Sequence, residues 1–374
     1  MVQRDDMMHS GRNWLWKLTW AVAVVTPVAA SAQTVELAAH ANANIQRPSF
    51  SPDGDRLSYE SNDHESKRVT AYVGRIGGAF EPVHASGAAS GLTQGFSTRA
   101  TGPAVVHELA WSPPAIGKYV YASSANGQDY DLFFAGGRAA VVGPSADGGP
   151  VWSPDGRSIV FTSARTGEGD LYKMDLTQLQ APPTQLTHHE GSSEVYATFS
   201  PDGQRLAYVA HSQTGDNLWT VGTQGDDAVQ ITHWPRIQTR PVFSPDGTHI
   251  AFYANHEDPE RFDLYILRPQ HIQGPSLVLR DVVPNSAGPV FTPDGRHIVA
   301  VLDDESLFDP IVAVEWARPA NTMVLDLGTV GNQDVDVARG TDGTTRIVWT
   351  AQGRMTDTDR TFRRLYTSEM PTLP

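Results

Sequence analysis

Short polar stretches that contain histidine, arginine and glutamate separate the apolar runs of this chain. The candidate binding residues in these stretches are Arg47, His64, Arg165, His188, His189, Glu194, His211, His233, Trp234, Arg240 and His256. Imidazole can ligate a metal or transfer a proton, and guanidinium can bind a carboxylate through two parallel hydrogen bonds. These residue types therefore suit the binding of a ligand or partner.

The spacing of these residues matches no known catalytic motif. No serine has a glycine two residues before it and two after it, no glycine-rich phosphate loop occurs, and no His-Glu pair is followed by a histidine three residues later. Calcium loops of alternating acids are also missing from the sequence. We therefore predict a partner-binding surface, with no catalytic residue, no metal site and no cofactor.

A repeated phrase, an aromatic residue followed by Ser-Pro-Asp-Gly and an alternating apolar strand, must position these stretches. Clear copies begin at Phe50, Trp152, Phe199, Phe243 and Phe291, with threonine replacing serine in the last. Proline presets φ for a turn, aspartate accepts a nearby backbone N–H, and glycine tolerates positive φ. Each copy therefore predicts a tight turn between two antiparallel strands.

Two weaker copies, at Trp111 and Arg339, bring the total to seven. The turn positions are 52, 113, 154, 201, 245, 293 and 341, so the intervals are 41 to 48 residues after a first interval of 61. Periods in the forties with four short strands in each unit are typical of propeller blades. We predict an all-β chain that forms a single β-propeller of four-stranded antiparallel blades, with seven blades, or six as the alternative.

The N-terminal segment has the pattern of a secretory signal peptide. Arg12 and Lys17 precede an apolar stretch from Leu18 to Ala30, which ends in the small-x-small sequence Ala30-Ser31-Ala32. We expect cleavage after Ala32, release into the periplasm and no integral membrane segment afterwards. An uncleaved anchor is the alternative. Residues 33–374 would then form the propeller domain.

The two ends of the propeller domain complement each other. Thr34 to His40 resembles the fourth strand of other units, and Arg364 to Ser368 resembles a third strand without a fourth. We expect the N-terminal strand to complete the last blade and bury Val35 and Leu37, which would remove the exposed edges of an open array.

Composition narrows the classes of partner. The chain has 374 residues, 28 basic and 42 acidic side chains, a formal net charge of −14 and no cysteine. Disulfides, thiolate catalysis and thiolate metal sites are thereby excluded. Because the chain is acidic and no basic cluster stands out, we expect no nucleic-acid partner.

The predicted fold places the candidate residues on one face. In a propeller, the connections from strand four to the next strand one share a face with the connections from strand two to strand three. That face would carry all the candidate residues, and the Ser-Pro-Asp-Gly turns would lie on the opposite face. Variable loops around one channel mouth are the usual ligand sites of propellers. An ordinary solvated surface is the alternative, since polar side chains belong in loops.

Two consecutive units carry a family resemblance. The run PVWSPDGRSIVFTSARTGEGDLYKMDL and the later run TQLTHHEGSSEVYATFSPDGQRLAYVA resemble the propeller repeats of TolB, the periplasmic component of the Tol-Pal envelope system. The resemblance covers roughly residues 34 to 368. It is confined to the propeller part, without the α/β domain that precedes the propeller in TolB. The TolB-like superfamily also includes propeller domains of prolyl-oligopeptidase-type peptidases and oligogalacturonate lyases.

The resemblance implies secretion, a propeller and binding of a partner. A non-enzymatic periplasmic propeller that binds a protein or cell-envelope component at one channel mouth is therefore the expected function. The alternative is a metal-dependent lyase similar to oligogalacturonate lyases, in which histidines would hold a divalent metal and arginines would bind an acidic oligosaccharide.

Overall fold

The strands of the chain form a repeating series of antiparallel sheets. The computed structural model describes residues 28–29, 33–83, 105–124, 129–234, 240–269, 274–304 and 308–373, and every regular element in these ranges is a β-strand. The expected signal peptide lies outside the described residues except for β1 (Val28–Ala29). The described part of the chain contains no helix of the length and apolarity that crossing a membrane requires.

Seven four-stranded units, here called blades 1 to 7, follow one another along the chain. From the innermost strand outward, blade 1 consists of β3 (Ala43–Phe50), β4 (Arg56–Asp63), β5 (Val69–Arg75) and β6 (Phe80–Pro82). Blade 2 consists of β7 (Val106–Trp111), β8 (Tyr119–Ser123), β9 (Asp131–Phe134) and β10 (Arg138–Val141). Blade 3 consists of β11 (Asp147–Trp152), β12 (Ser158–Ser163), β13 (Asp170–Asp175) and β14 (Thr184–Gln185). Blade 4 consists of β15 (Ser192–Phe199), β16 (Arg205–Ser212), β17 (Gly215–Gly222) and β18 (Val229–Gln230). Blade 5 consists of β19 (Val242–Phe243), β20 (Ile250–Ala254), β21 (Phe262–Leu267) and β22 (Ser276–Val283). Blade 6 consists of β23 (Val290–Phe291), β24 (His297–Leu302), β25 (Ile311–Glu315) and β26 (Thr322–Asp326). Blade 7 is β28 (Gln333–Arg339), β29 (Thr345–Ala351), β31 (Arg364–Glu369) and β2 (Val35–Ala38); β27 (Thr329–Val330) and β30 (Gly353–Arg354) pair separately. The prediction of an all-β propeller is confirmed.

The N-terminal strand β2 closes the ring. It pairs antiparallel with β31, with Val35 opposite Thr367 and Glu36 opposite Tyr366. The prediction that both Val35 and Leu37 are buried is wrong, because Val35 is 45% exposed and Leu37 is half-buried. As the outermost strand of blade 7, β2 has no further strand to cover its outer residues. Its attachment combines backbone pairing with the packing of Leu37 and Ala38 against a buried cluster of blades 1 and 7 and with the ion pair of Glu36 and Arg364.

Blades 5 and 6 share one continuous sheet. The end of β22 leaves blade 5 and pairs with β24, with Val282 opposite Leu302 and Val283 opposite Val301. The strand that finishes blade 5 therefore also begins the inner edge of blade 6. At the outer edge of the same sheet, β1 runs parallel to β26.

The Ser-Pro-Asp-Gly turns all have the same internal structure. In blade 3, Ser153 Oγ donates to Asp155 Oδ1 at 2.6 Å and accepts from the N–H of Ser158 at 3.0 Å. Gly156 has φ of 69°, and the corresponding Gly203 of blade 4 also has φ of 69°. A Cβ on Gly203 would lie 3.6 Å from Cδ of Pro154, so successive turns are in contact. These turns form one end of the propeller, called the turn face below.

Candidate functional site

The opposite end of the propeller, the loop face, carries the connections from strand two to strand three and the starts of the innermost strands. Five innermost strands are irregular close to this face. Residues at these irregularities have positive φ: Arg47, Glu108, Gly149, Tyr196 and Asp334. An extra residue in one strand breaks the ladder and redirects the side chain. The irregularities therefore direct both backbone and side chains toward the neighbouring blades and the central channel.

Carboxylates of adjacent blades accept hydrogen bonds from the amides of these irregularities. The N–H of Glu108 donates to Glu60 Oε1 at 2.8 Å, and the N–H of Gly149 donates to Glu108 Oε2 at 2.6 Å. The N–H of Arg47 donates to Asp334 Oδ2 at 3.1 Å. Blades 7, 1, 2 and 3 are thus connected around the channel by acidic side chains.

A cleft of about 950 Å³ opens on the loop face across blades 2, 3 and 4. Its lining includes five glycines: Gly148, Gly149, Gly167, Gly169 and Gly191. A Cβ on Gly169 would lie 2.3 Å from Ser193 Oγ, and a Cβ on Gly148 would lie 3.0 Å from Glu108 Oε2. These two glycines are therefore tightly packed, whereas a Cβ on Gly167 or Gly191 would meet nothing within 4 Å, so the cleft is open beside the latter two.

Two histidine and carboxylate pairs stand at the cleft. His211 Nδ1 lies 2.7 Å from Asp216 Oδ1, and His107 Nδ1 lies 3.7 Å from Glu108 Oε2. The ring of His107 also packs edge-on against Tyr130 at 4.4 Å between ring centres. Such pairs can orient an imidazole toward a ligand.

Asp147 is the most buried ionisable group in the lining. Its side chain is only 1% exposed, and its Oδ1 accepts a hydrogen bond from Arg165 Nη2 at 3.1 Å. Oδ2 is buried without a hydrogen-bond partner. Burial raises the pKa of Asp147, although the hydrogen bond with Ser163 and the positive charge of Arg165 act in the opposite direction. A carboxylate with a buried, unpartnered oxygen costs stability, and such groups often occur at functional sites.

Glu194 lies behind the cleft wall. It is fully buried, and it accepts hydrogen bonds from Thr187 Oγ1 at 3.1 Å and Ser192 Oγ at 2.5 Å. Burial raises the pKa of Glu194 to about 7, with Asp170 also contributing. His189 Nδ1 lies 3.6 Å from Glu194 Oε1. Near neutral pH this carboxyl group can therefore change its protonation state.

The structure brings part of the predicted site together. His211 lines the cleft, Arg165 pairs with Asp147 in its wall, and Glu194 is packed behind it. Arg47 is paired with Glu60, with 3.6 Å between Nη1 and Oε1, and Arg240 has a buried Nε; neither residue lines the cleft.

The remaining predicted residues lie elsewhere on the loop face. Trp234 stacks on His256 at 4.1 Å and packs against Tyr265 at 4.8 Å, and His189 packs on Trp219 at 4.4 Å. The other positions are His64, which bonds Asn44 at 3.0 Å, and the exposed His188 and His233. These six residues do not line the cleft. His189 and Trp234 pack on third-strand aromatic rings of blades 4 and 5.

The sequence-based set missed His107, Glu108, Tyr130, Asp147 and Tyr196. Some of them share a position in the repeat, which is the fifth residue before the turn proline. In blades 1 to 6 this position is occupied by Arg47, Glu108, Gly149, Tyr196, Arg240 and Gly288. The residue types at this position differ from blade to blade, unlike the turns. That contrast could have identified the channel-facing position before the structure was known.

Comparison with known proteins finds relatives that match only part of this chain. No family model matches the chain. An uncharacterized protein of Agrobacterium fabrum is 34% identical over 108 residues, which are 29% of this chain and 36% of that protein. The Tol-Pal system protein TolB of Anaeromyxobacter dehalogenans is 31% identical over 94 residues, which are 25% of this chain and 21% of that protein. The chain thus spans well under half of the length of these curated relatives.

A solved structure supports the fold over nearly the whole chain. The oligogalacturonate lyase of Vibrio parahaemolyticus has a TM-score of 0.60 at 11% identity, and the match covers 92% of this chain and 98% of the lyase chain. At this identity the likeness concerns the fold alone. The chain is therefore a β-propeller, and 94 of its residues are similar to part of a TolB protein.

Proposed function

We propose that the chain is a non-enzymatic periplasmic propeller that binds a protein or another cell-envelope component in the cleft of its loop face. The observation that carries this proposal is the open cleft of about 950 Å³, with its glycine lining and its polar groups. A concave site with a few polar groups is the usual form of a binding site. The similarity of the repeats to TolB supports an envelope partner.

Export is part of the same proposal. Residues 1–32 would be removed as a signal peptide by cleavage after Ala32, and residues 33–374 would form the periplasmic propeller domain. Fractionation followed by sequencing of the N-terminus tests this part. A soluble periplasmic species that begins at Gln33 is expected, and recovery of the intact N-terminus in the membrane fraction would contradict it.

A second candidate is a lyase acting on acidic oligosaccharides. The His211 and Asp216 pair at the cleft favours it, because a carboxylate-oriented imidazole can accept a proton. In the described ranges, no three or more histidine, aspartate or glutamate side chains are grouped as metal ligands. The residues present there therefore do not fit the metal-dependent form of this chemistry. Release of unsaturated sugar from an oligogalacturonate by the purified protein would support the lyase over the binding propeller.

A matched pair of variants tests the binding proposal. Gln213 follows β16 at the rim of the cleft, and Gln204 precedes the same strand at the turn face. The purified domain would be immobilised, incubated with solubilised envelope, and the affinity of the retained component measured. We expect Gln213→Trp to weaken binding at least tenfold because the indole fills the cleft, and Gln204→Trp to change it less than twofold. Equal affinity for both variants, or no component retained by the unmodified protein, would contradict the proposal.

A further inference from the structure

Acidic side chains outnumber basic ones in the lining of the cleft. Glu108 comes from β7, Asp147 begins β11, and Glu168 lies in the connection between β12 and β13. Among the described residues that line the cleft, none is a lysine or an arginine, and the only basic side chains are His107 and His211. A ligand that enters the cleft therefore meets mainly negative charge.

Most of this negative charge has no strong cation beside it. Arg165 Nη2 donates to Asp147 Oδ1 at 3.1 Å. In the described ranges, the only basic group within ion-pair distance of Glu108 is the imidazole of His107, at 3.7 Å, and Glu168 has no basic partner. Two of the three lining carboxylates thus have no lysine or arginine to neutralise them. The cleft therefore favours a cationic ligand.

Asp147 has an acceptor that the folded chain does not use. Its side chain is 1% exposed, and its Oδ2 is buried without a hydrogen-bond partner. The next two residues of the lining, Gly148 and Gly149, offer no side-chain donor. A buried carboxylate oxygen without a donor costs free energy, which is regained when a donor binds. Asp147 therefore favours a ligand that donates hydrogen bonds.

Glu108 lies beside Asp147 in the wall of the cleft. Its Oε2 accepts the N–H of Gly149 at 2.6 Å. The N–H of Asp147 donates to the carbonyl of Tyr130 at 2.7 Å, and the ring of Tyr130 packs on His107, the residue before Glu108. In the part of the chain that the structure describes, no donor bonds Glu108 Oε1, and the side chain is 25% exposed. Glu108 thus adds a free acceptor on a partly exposed side chain.

We infer that Glu108 and Asp147 bind a primary ammonium group in the cleft. The inference rests on the proposed function, because it names the chemical group that the bound partner would place there. An ammonium is a compact cation with three donors and no acceptor, so one group can bond both carboxylates. The ring of Tyr130, which also lines the cleft, attracts a cation. A lysine side chain, the N-terminus of a polypeptide and a free amine would each supply this group.

The test uses defined probes on the purified propeller domain. N-acetyl-glycyl-lysyl-glycine amide carries a side-chain ammonium, and the same peptide with norleucine in place of lysine is its uncharged match. Triglycine amide carries only an N-terminal ammonium, ethylamine is a free amine, and the matching arginine peptide carries a guanidinium. Calorimetry at pH 7 measures each affinity. We expect at least one ammonium probe to bind at least tenfold more tightly than the norleucine peptide and more tightly than the arginine peptide.

The probes also distinguish the sources of the ammonium group. Binding of ethylamine would identify a free amine as sufficient. Binding of the lysine peptide alone would identify a lysine side chain, and binding of triglycine amide alone would identify a chain N-terminus.

Variants that remove one charge link the binding to the two carboxylates. Glu108→Gln should weaken ammonium binding at least tenfold and should fold normally, because glutamine keeps an oxygen that can accept the N–H of Gly149. Asp147→Asn should weaken it by a similar factor. Glu81→Gln removes the same charge from an exposed position of β6 and should leave the affinity unchanged. Equal binding of the lysine, triglycine and norleucine peptides, tightest binding of the arginine peptide, or full affinity in Glu108→Gln or Asp147→Asn would overturn the inference.

Envelope capture separates this inference from the proposed function. If the unmodified protein binds the ammonium probes but retains no envelope component, the proposed function fails and the ammonium site stands. If a component is retained with the same affinity by Glu108→Gln and by the unmodified protein, the ammonium site fails and the proposed function stands.

Discussion

The aspartates of the Ser-Pro-Asp-Gly turns and the buried acids of the loop face have pKa values that are shifted in opposite directions. On the turn face, hydrogen bonds from Ser153, Ser200 and Ser244 lower the pKa of Asp155, Asp202 and Asp246. On the loop face, burial raises the pKa of Asp147, and it raises that of Glu194 to about 7 and that of Asp309 to about 6. The turn acids are stabilised as anions, whereas these three buried loop-face acids are held in surroundings that disfavour their charge. Loop-face acids that are not buried, such as Asp63 and Glu257, have lowered pKa values, so burial makes the difference.

This difference indicates how structure and function are divided in the molecule. The turn face repeats one set of bonds and contacts in successive blades, so its polar residues are explained by folding alone. The loop face changes from blade to blade and contains buried acids that lower stability. Groups that cost stability are candidates for binding or catalysis.

The largest expected effect is on stability, from matched glycine substitutions. Gly203 on the turn face has φ of 69°, and a Cβ there would also meet Pro154. Gly143, at the loop-face end of blade 2, has an ordinary φ and open space around it. We expect Gly203→Val to lower the free energy of unfolding by roughly 1–3 kcal/mol and Gly143→Val to change it little. Urea unfolding of both variants measures this, and equal losses would remove the distinction between the two ends.

A second effect depends on pH and concerns Glu194. Its folded-state pKa of about 7 lies above its ordinary value of 4.5, so the folded protein binds this proton more tightly than the unfolded chain does. The resulting stability is fully present below about pH 4.5 and is lost as the pH rises through 7. Relative to Glu194→Gln, the unmodified protein should therefore lose roughly 1–2 kcal/mol between pH 5 and pH 8.

The control for this prediction is the neighbouring exposed residue Glu190. Glu190→Gln should run parallel to the unmodified protein throughout the pH range. A constant difference between the unmodified protein and Glu194→Gln from pH 5 to pH 8 would show that the carboxyl group of Glu194 is not perturbed.

The smallest effect is expected at the turn face, with the opposite dependence on pH. The pKa of Asp202 is lowered below 3.8, so its contribution is present above that pH and is lost as the pH falls. Asp202→Asn should cost less than about 1 kcal/mol at pH 7, because the side chain remains a hydrogen-bond acceptor. At pH 2.5 the difference from the unmodified protein should shrink in chemical denaturation. A difference that grows on acidification would contradict the sign of this pKa shift.

The sequence predicted the turn face much better than the loop face. Phe50, Trp152 and their equivalents mark turns whose chemistry is local, since proline, aspartate and glycine act within four residues. Closure by β2 also followed from the incomplete last unit. The exposure of Val35 and the passage of β22 into blade 6 depend on which strands lie beside them, and no local pattern encodes that.

The cleft could be predicted only in part, for a related reason. His211 and Arg165 were identified as polar residues in loops, but Asp147 was missed because it lies within an innermost strand. The irregularities at Glu108 and Tyr196 form through bonds and packing between blades, which spacing along the chain does not show.

Crosslinking in intact cells tests the division between the two ends most directly. A photoreactive phenylalanine analogue would replace Gln213 at the cleft rim in one strain and Gln204 at the turn face in another, so both probes lie at the ends of β16. We predict a specific adduct with an envelope component from position 213 and none from position 204. Adducts from position 204 alone, or equal adducts from both positions, would contradict it.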